Sequence, residues 1–265
     1  MLYQGTIIKM QSELENPVKY TLPIGKDMID MNNLIGKYIF FKWSGKIFCI
    51  ACGRNTNKSF AQGFCYPCFI NAPETSECIL RPHLCQAHKG IARNIEWAER
   101  HCLQDHFVYL AISSGIKVGV TRSEQVPTRW IDQGAWQAIK LARTPNRYFA
   151  GSIEVAMKEF VSDRTQWQRM LKNQLAEGVN LLEKKHEMLN LFPDKLKLYA
   201  SEENEIIEIN YPVQEYPEKV KSLSFDKLNE IEGRLWGIKG QYLMFDDGTV
   251  LNIRKHNGYE MALEV

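Results

Sequence analysis

Short runs that alternate apolar and polar residues open the chain. Thr6-Ile7-Ile8-Lys9-Met10, Val18-Lys19-Tyr20-Thr21-Leu22 and Tyr38-Ile39-Phe40-Phe41 predict strands. Ser44-Gly45 predicts a hairpin turn into Lys46-Ile47-Phe48-Cys49-Ile50. The far end repeats the pattern, with an apolar run over 240–245, then Asp247-Gly248, then Val250-Leu251-Asn252-Ile253. Asp-Gly between apolar runs is a strong hairpin signal. The likeness predicts related β units that pack together and bring the two chain ends side by side. Between them, residues 106–162 predict strand, hairpin, helix, loop and helix. Over 166–198, Trp167, Met170, Leu171, Leu175, Leu182, Met188, Leu189 and Phe192 fall at helical spacing, which predicts a helix that breaks near Pro193. Residues 202–217 read as an acidic, proline-containing connector. The fold class expected is α+β. An N-terminal β unit (1–48) leads into a Cys/His region (49–105), a central α/β domain with a helical extension (106–200), and a C-terminal linker and β-hairpin unit (201–265). The central domain is expected to be a small antiparallel sheet flanked by helices.

Composition adds limits. The chain has 265 residues, 45% hydrophobic and 24% charged, enough for two or three small domains. No apolar run nears the roughly 20 residues that cross a bilayer. The N-terminus has no basic cluster followed by an apolar stretch. A cytoplasmic protein with no membrane partner is therefore expected, and there clustered cysteines bind metal more often than they form disulfides. The net charge of +2 is small, but it is unevenly spread. Residues 31–73 carry five basic and no acidic residues, and 106–151 carry six basic against two acidic. Positive charge in those regions suits a polyanion, so nucleic acid, DNA or RNA, is the expected partner.

The strongest chemical signal is two Cys-x-x-Cys pairs, Cys49/Cys52 and Cys65/Cys68, twelve residues apart. Each pair can form a tight knuckle with both sulfurs aimed at one ion, and two facing knuckles complete a tetrahedron. Zinc suits such a site because it binds thiolate tightly and has no d-electron geometry to satisfy. Four protein ligands leave no open position, so a structural zinc ribbon is expected. Cys78, Cys85 and His88 follow at C-x6-C-x2-H spacing. They suggest a second zinc, with His101, Cys102, His83 or His106 open as the fourth ligand and His101 carried as the candidate. The alternative is that Cys78 and Cys102 are small core residues.

The central segment carries a further signal. Val108-Tyr109-Leu110 and Lys117-Val118-Gly119 flank a turn at Ser114-Gly115; Arg129 follows in Pro127-Thr128-Arg129-Trp130, and Glu154 in Gly151-Ser152-Ile153-Glu154. This stretch, 106–162, resembles the GIY-YIG nuclease superfamily in its phage-type variant, which has lysine for the second tyrosine. Phe107-Val108 stand where the first motif has glycine. Over its full length the chain also resembles an uncharacterised prokaryotic family. The superfamily resemblance implies a metal-dependent endonuclease that hydrolyses phosphodiester bonds. Tyr109 would be the base, its pKa lowered by positive charge such as Lys117 or the metal. Arg129 would hold the phosphate, and Glu154 would bind catalytic Mg²⁺ or Mn²⁺. Arg122, Asn146 and Arg147 are candidate substrate contacts. Two competing readings are a nucleic-acid-binding module without catalysis and a zinc-stapled protein-interaction adaptor.

Overall fold

The structure, a computed structural model, describes residues 1–162, 165–176 and 178–265. Along the chain the strands are β1 (Leu2–Thr6), β2 (Gln11–Glu13), β3 (Lys19–Ile24), β4 (Asp27–Asp30), β5 (Tyr38–Phe48), β6 (Asn55–Thr56), β7 (His106–Ile112), β8 (Ile116–Arg122), β9 (Gln137–Thr144), β10 (Ile207–Glu208), β11 (Lys221–Leu223), β12 (Glu230–Lys239), β13 (Tyr242–Phe245), β14 (Thr249–Asn252) and β15 (Tyr259–Glu264). The α-helices are α1 (Tyr66–Asn71), α2 (Ile95–His101), α3 (Thr128–Asp132), α4 (Arg147–Met157), α5 (Trp167–Leu171) and α6 (Leu181–Asn190). No helix among the described residues is long and apolar enough to cross a membrane. The chain is a mixed α+β protein that divides into two units.

The first unit comprises Met1–Ile70, Leu171–Asn173 and Ile209–Val265. Its main sheet runs β1-β15-β5-β12-β13-β14-β11, with β6 paired to β5. The two chain ends lie side by side, Leu2 opposite Glu264, and β5 pairs with both β12 and β15. Ile39, Phe41, Ile231, Leu235 and Leu263 are buried at alternate positions, as expected of sheet faces packed on a core. One turn takes another form. Ser44-Gly45 does not end a strand, because β5 runs through it. Tyr259 pairs Ile47 while Met261 pairs Trp43, so β5 carries extra residues as a bulge at Gly45, whose φ is +86°. A glycine with positive φ serves a bulge as readily as a turn, and the long partner strand decides which. The Asp247-Gly248 turn between β13 and β14 forms as expected.

His256 sits in this unit fully buried, its Nδ1 2.8 Å from the Asn252 carbonyl and its Nε2 3.2 Å from the Phe225 N–H. Nδ1 therefore carries the proton and Nε2 accepts. Ser224, Asp226, Lys255 and Tyr259 surround it. Burial pushes its pKa down to about 4, against the Asn252 carbonyl and Asp226. The unfolded chain thus binds more protons below its ordinary 6.5. Its stabilising contribution is complete above that pH and is lost as pH falls toward about 4, by roughly 3 kcal/mol. We expect the stability gap between wild type and His256→Asn, measured by urea unfolding, to shrink as the pH is lowered from about 7 to about 4.5. A constant gap would show that the ring is not held neutral.

The second unit comprises Asn71–Met170 and Gln174–Glu208. Its sheet, β10-β9-β7-β8, is antiparallel throughout, with β7 inside. All seven residues of β7 are buried, the pattern of a strand covered on both faces. Val108, Leu110 and Ile112 pack against Ile153 and Met157 of α4 and Leu181 and Met188 of α6. Trp130 meets the Tyr109 ring edge-on. The loop expected after α3 is instead strand β9. Its helix-compatible residues Ala138, Lys140, Leu141 and Ala142 are drawn into a ladder by the open edge of β7, an override of local propensity. The helix expected from 166 to a break near Pro193 is divided into α5 and α6, and a 3-10 turn at Asp194–Tyr199 follows. Asn173 and Gly178 take positive φ, and the Asn180 side chain caps α6 by accepting from the N–H groups of Leu182 and Glu183. The break near Pro193 is where the proline reading put it.

Candidate functional site

In the first unit, the Cys49, Cys52, Cys65 and Cys68 sulfurs all lie within 4.8 Å of one another, with Cys52 and Cys65 at 3.8 Å. Local backbone builds this. β5 delivers Cys49, Gly53 at φ +69° closes the first knuckle with its N–H on the Cys49 carbonyl at 2.8 Å, and β6 returns the chain. The second pair opens α1. Burial raises the Cys49 thiol pKa, but backbone N–H groups of Cys65, Cys52 and Ala51 outweigh it and bring the pKa down to about 6. Amide groups aimed at sulfur are what a bound thiolate needs. The four thiols can hold one zinc in a closed ribbon site.

The second unit holds a second thiol cluster of Cys78, Cys85 and Cys102, again with all three sulfurs within 4.8 Å. The third member is Cys102, one of the ligands the spacing left open, and neither His88 nor His101 is among the clustered groups. His88 packs on Tyr148 with ring centroids 4.5 Å apart. His101 stacks on Trp97 at 4.1 Å, with its Nδ1 on the Trp97 carbonyl. Hydrogen bonds from the Cys102 and Cys78 thiols hold the Cys85 thiol well below the usual range, against burial.

The same unit holds a pocket of about 160 Å³. Tyr109, Arg129 and Glu154 all line it, with Gln133, Lys158 and Leu80. Tyr109 and Gly119 are directly opposite in the β7–β8 ladder. A Cβ at position 119 would stand 2.6 Å from the Tyr109 hydroxyl oxygen, so glycine is required for the ring to lie across β8. This is the physical content of the tyrosine and glycine ten residues apart. The phenol donates to Gln133 Oε1 at 2.9 Å. Burial raises its pKa, Arg129 works against that, and Glu154 adds to it. The protein's own groups therefore raise the Tyr109 pKa, and Lys117 does not bring about the expected lowering. Glu154 is nearly buried and lies 3.5 Å from Lys158.

The family model for proteins of unknown function designated DUF2797 matches residues 36–261. The chain belongs to the DUF2797 family. No curated protein and no solved structure matches it. The stretch matched to DUF2797 includes both thiol clusters and the whole pocket lining.

The other expected site residues of this DUF2797 chain lie elsewhere. Lys117 is buried behind the pocket, donating to Gln133 Oε1 and, at 2.9 Å, to Thr165 Oγ1. Arg122 lies 3.9 Å from Glu124. Asn146 caps α4 by accepting from the Phe149 N–H at 3.2 Å. Arg147 is buried beside the second thiol cluster, with Nη1 3.3 Å from the Cys78 carbonyl and Nη2 3.0 Å from that of His101. The sequence reading missed Gln133 and Lys158. Each stands four residues after a candidate, Arg129 or Glu154, on the same helical face, and that spacing was the available signal.

Proposed function

We propose that the pocket is a phosphodiester-cleaving centre of GIY-YIG type acting on nucleic acid, and that the four-cysteine ribbon carries a structural zinc. The observation that carries this is the meeting of Tyr109, Arg129 and Glu154, far apart in sequence, on one pocket. A small antiparallel sheet with helices α3 and α4 supports it. Arg129 would hold the scissile phosphate with its planar fork of donors. The Tyr109 proton is engaged by Gln133, which leaves an oxygen lone pair to accept from an attacking water. Tyr109 enters as a neutral phenol, so it orients that water and takes no proton from it. Glu154 fits a hard divalent cation, being the one carboxylate among the described lining residues. Magnesium is commonly held by one or two carboxylates, with water and substrate phosphate completing its shell. When bound, Mg²⁺ or Mn²⁺ would neutralise phosphate charge.

The test is cleavage of single-stranded DNA, duplex DNA and structured RNA with Mg²⁺ or Mn²⁺. Glu154→Ala and Arg129→Ala should each lower the rate by about 10²-fold or more, the scale of losing one group that stabilises transition-state charge. Binding at low salt should survive in Glu154→Ala. A second reading, binding without cleavage, draws on Lys158, which sits where it competes with a cation for Glu154. Salt-dependent binding with no cleavage under either metal would favour it. No binding at low salt would remove both.

A further inference from the structure

We propose that Cys78, Cys85 and Cys102 hold a second metal ion, zinc by their ligand chemistry, and that this ion pins the loop forming one wall of the Tyr109–Arg129–Glu154 pocket. Two cysteines packed together are explained by a disulfide or by chance. Three sulfurs from separate turns, mutually within 4.8 Å, are close enough to share one ion. They present three corners of a tetrahedron. The Ala87 backbone N–H faces the Cys85 thiol, as those of Ala51 and Cys52 face Cys49.

Arg147 supplies an independent argument. Its guanidinium is buried, its Nε has no hydrogen-bond partner, and among the described residues no carboxylate pairs with it. Its Nη1 and Nη2 donate to the Cys78 and His101 carbonyls, which carry no charge to balance it. Three thiolates on Zn²⁺ carry about one net negative charge and would stand beside the guanidinium as its counter-charge. Arg147 also ties the pieces together, its N–H bonding to the Cys102 carbonyl at 2.9 Å and its side chain to the Cys78 carbonyl.

All seven cysteines of the chain are taken by the two clusters, so the fourth donor is not a thiolate. Among the described residues no histidine nitrogen stands within 4.8 Å of all three sulfurs, so the fourth ligand is water or a histidine that turns in, and His83, with Nδ1 buried and unpartnered, His88 and His106 are the candidates. His88 stands three residues after Cys85, the spacing of both ribbon pairs. His106 is 1% exposed, and its Nδ1 sits on the Gln104 carbonyl at 2.7 Å, while Nε2 is buried with no partner. A carbonyl on one ring nitrogen sets the tautomer that leaves the other free to ligate.

The loop between Cys78 and Cys85 gives the ion its consequence. Ile79, Leu80 and Pro82 line the pocket. The backbone of Pro82 and His83 rests against Gly151, three residues before Glu154 on α4. Ligands at both ends of that loop hold it there. The ion itself does not depend on the chemistry proposed for the pocket, so its test reads metal and structure, not cleavage.

Elemental analysis of the dialysed 265-residue chain should give two zinc ions per chain. Cys85→Ser should retain one, and hydrogen exchange should then rise over 78–85 while 49–68 stays protected. Cobalt substitution should add a second set of thiolate-to-metal charge-transfer bands, lost in Cys85→Ser, and a change in the ligand field in one of His83→Ala, His88→Ala and His106→Ala identifies a histidine fourth ligand, while none assigns that position to water. Should Cys85→Ser fail to fold, the wild-type protein still decides. Native alkylation should spare all seven thiols until a chelator is added. One zinc per chain with Cys78, Cys85 and Cys102 freely alkylated would overturn the proposal, as would a disulfide between any two of them.

Discussion

Replacing Cys65 with serine is expected to release one zinc ion per chain and to unfold the segment 49–68. This segment has little else to hold it. Its buried side chains are Cys49, Cys65 and Phe64, while Tyr66 and Cys52 are exposed. Structural zinc contributes about 10–16 kcal/mol to the folding of small zinc modules at neutral pH. That equals or exceeds the roughly 5–15 kcal/mol that stabilises a whole domain. The ribbon should therefore lose its fold cooperatively, and an excess of chelator should do the same to the wild type. Zinc content and hydrogen exchange over 49–68 measure the two effects. Full zinc content with unchanged protection in Cys65→Ser would sink the assignment of this quartet as a metal site. The second unit, whose core of Val108, Leu110, Ile139, Ile153 and Met188 contains none of these residues, should keep its exchange protection.

Gly151→Ala should destabilise the second unit by more than about 2 kcal/mol, although alanine normally gains about 1 kcal/mol over glycine inside a helix. The added Cβ would stand 2.1 Å from the His83 nitrogen and 2.4 Å from the Pro82 carbonyl carbon. Both are backbone atoms and cannot swing aside as a flexible side chain would. Either α4 withdraws from the sheet or the 82–84 turn lifts away, and the second course opens the pocket wall. Denaturant unfolding gives the size of the loss, and exchange over 78–85 identifies the part that moved. Val155→Ala, at an exposed position of the same helix, is the control and should change little. A Gly151→Ala protein as stable as wild type would mean that the turn does not pack on α4.

Much of the site was legible because its signals are local. The Cys-x-x-Cys knuckles need only a few consecutive residues, so spacing alone identifies them. Tyr109 and Gly119 were legible as a pair because a tight hairpin fixes its register from the turn outward. The Asp247-Gly248 turn was legible for the same reason. Gly45 was not, because its φ suits a turn or a bulge equally and the choice depended on β15, more than two hundred residues away. The role of Arg147 was misjudged because its charge and loop position suited a phosphate. Only the packing of α2 and the Cys78 turn against the start of α4 buried it among thiols. The direction of the Tyr109 pKa went the same way. Nearby positive charge is visible in a sequence, but burial is not, and in the folded chain burial is the larger influence.

The sequence by itself determined the four-cysteine quartet, the β character of both chain ends and the order in which Tyr109, Arg129 and Glu154 occur. Short-range chemistry and periodicity suffice for each of these. Only the tertiary structure decided that Cys102 closes the second thiol cluster, that Gln133 rather than solvent receives the Tyr109 proton, and that the 79–82 loop walls the pocket. Each of those depends on surfaces brought together from distant segments. Desolvation there sets which groups pair, and no local pattern of residues encodes it.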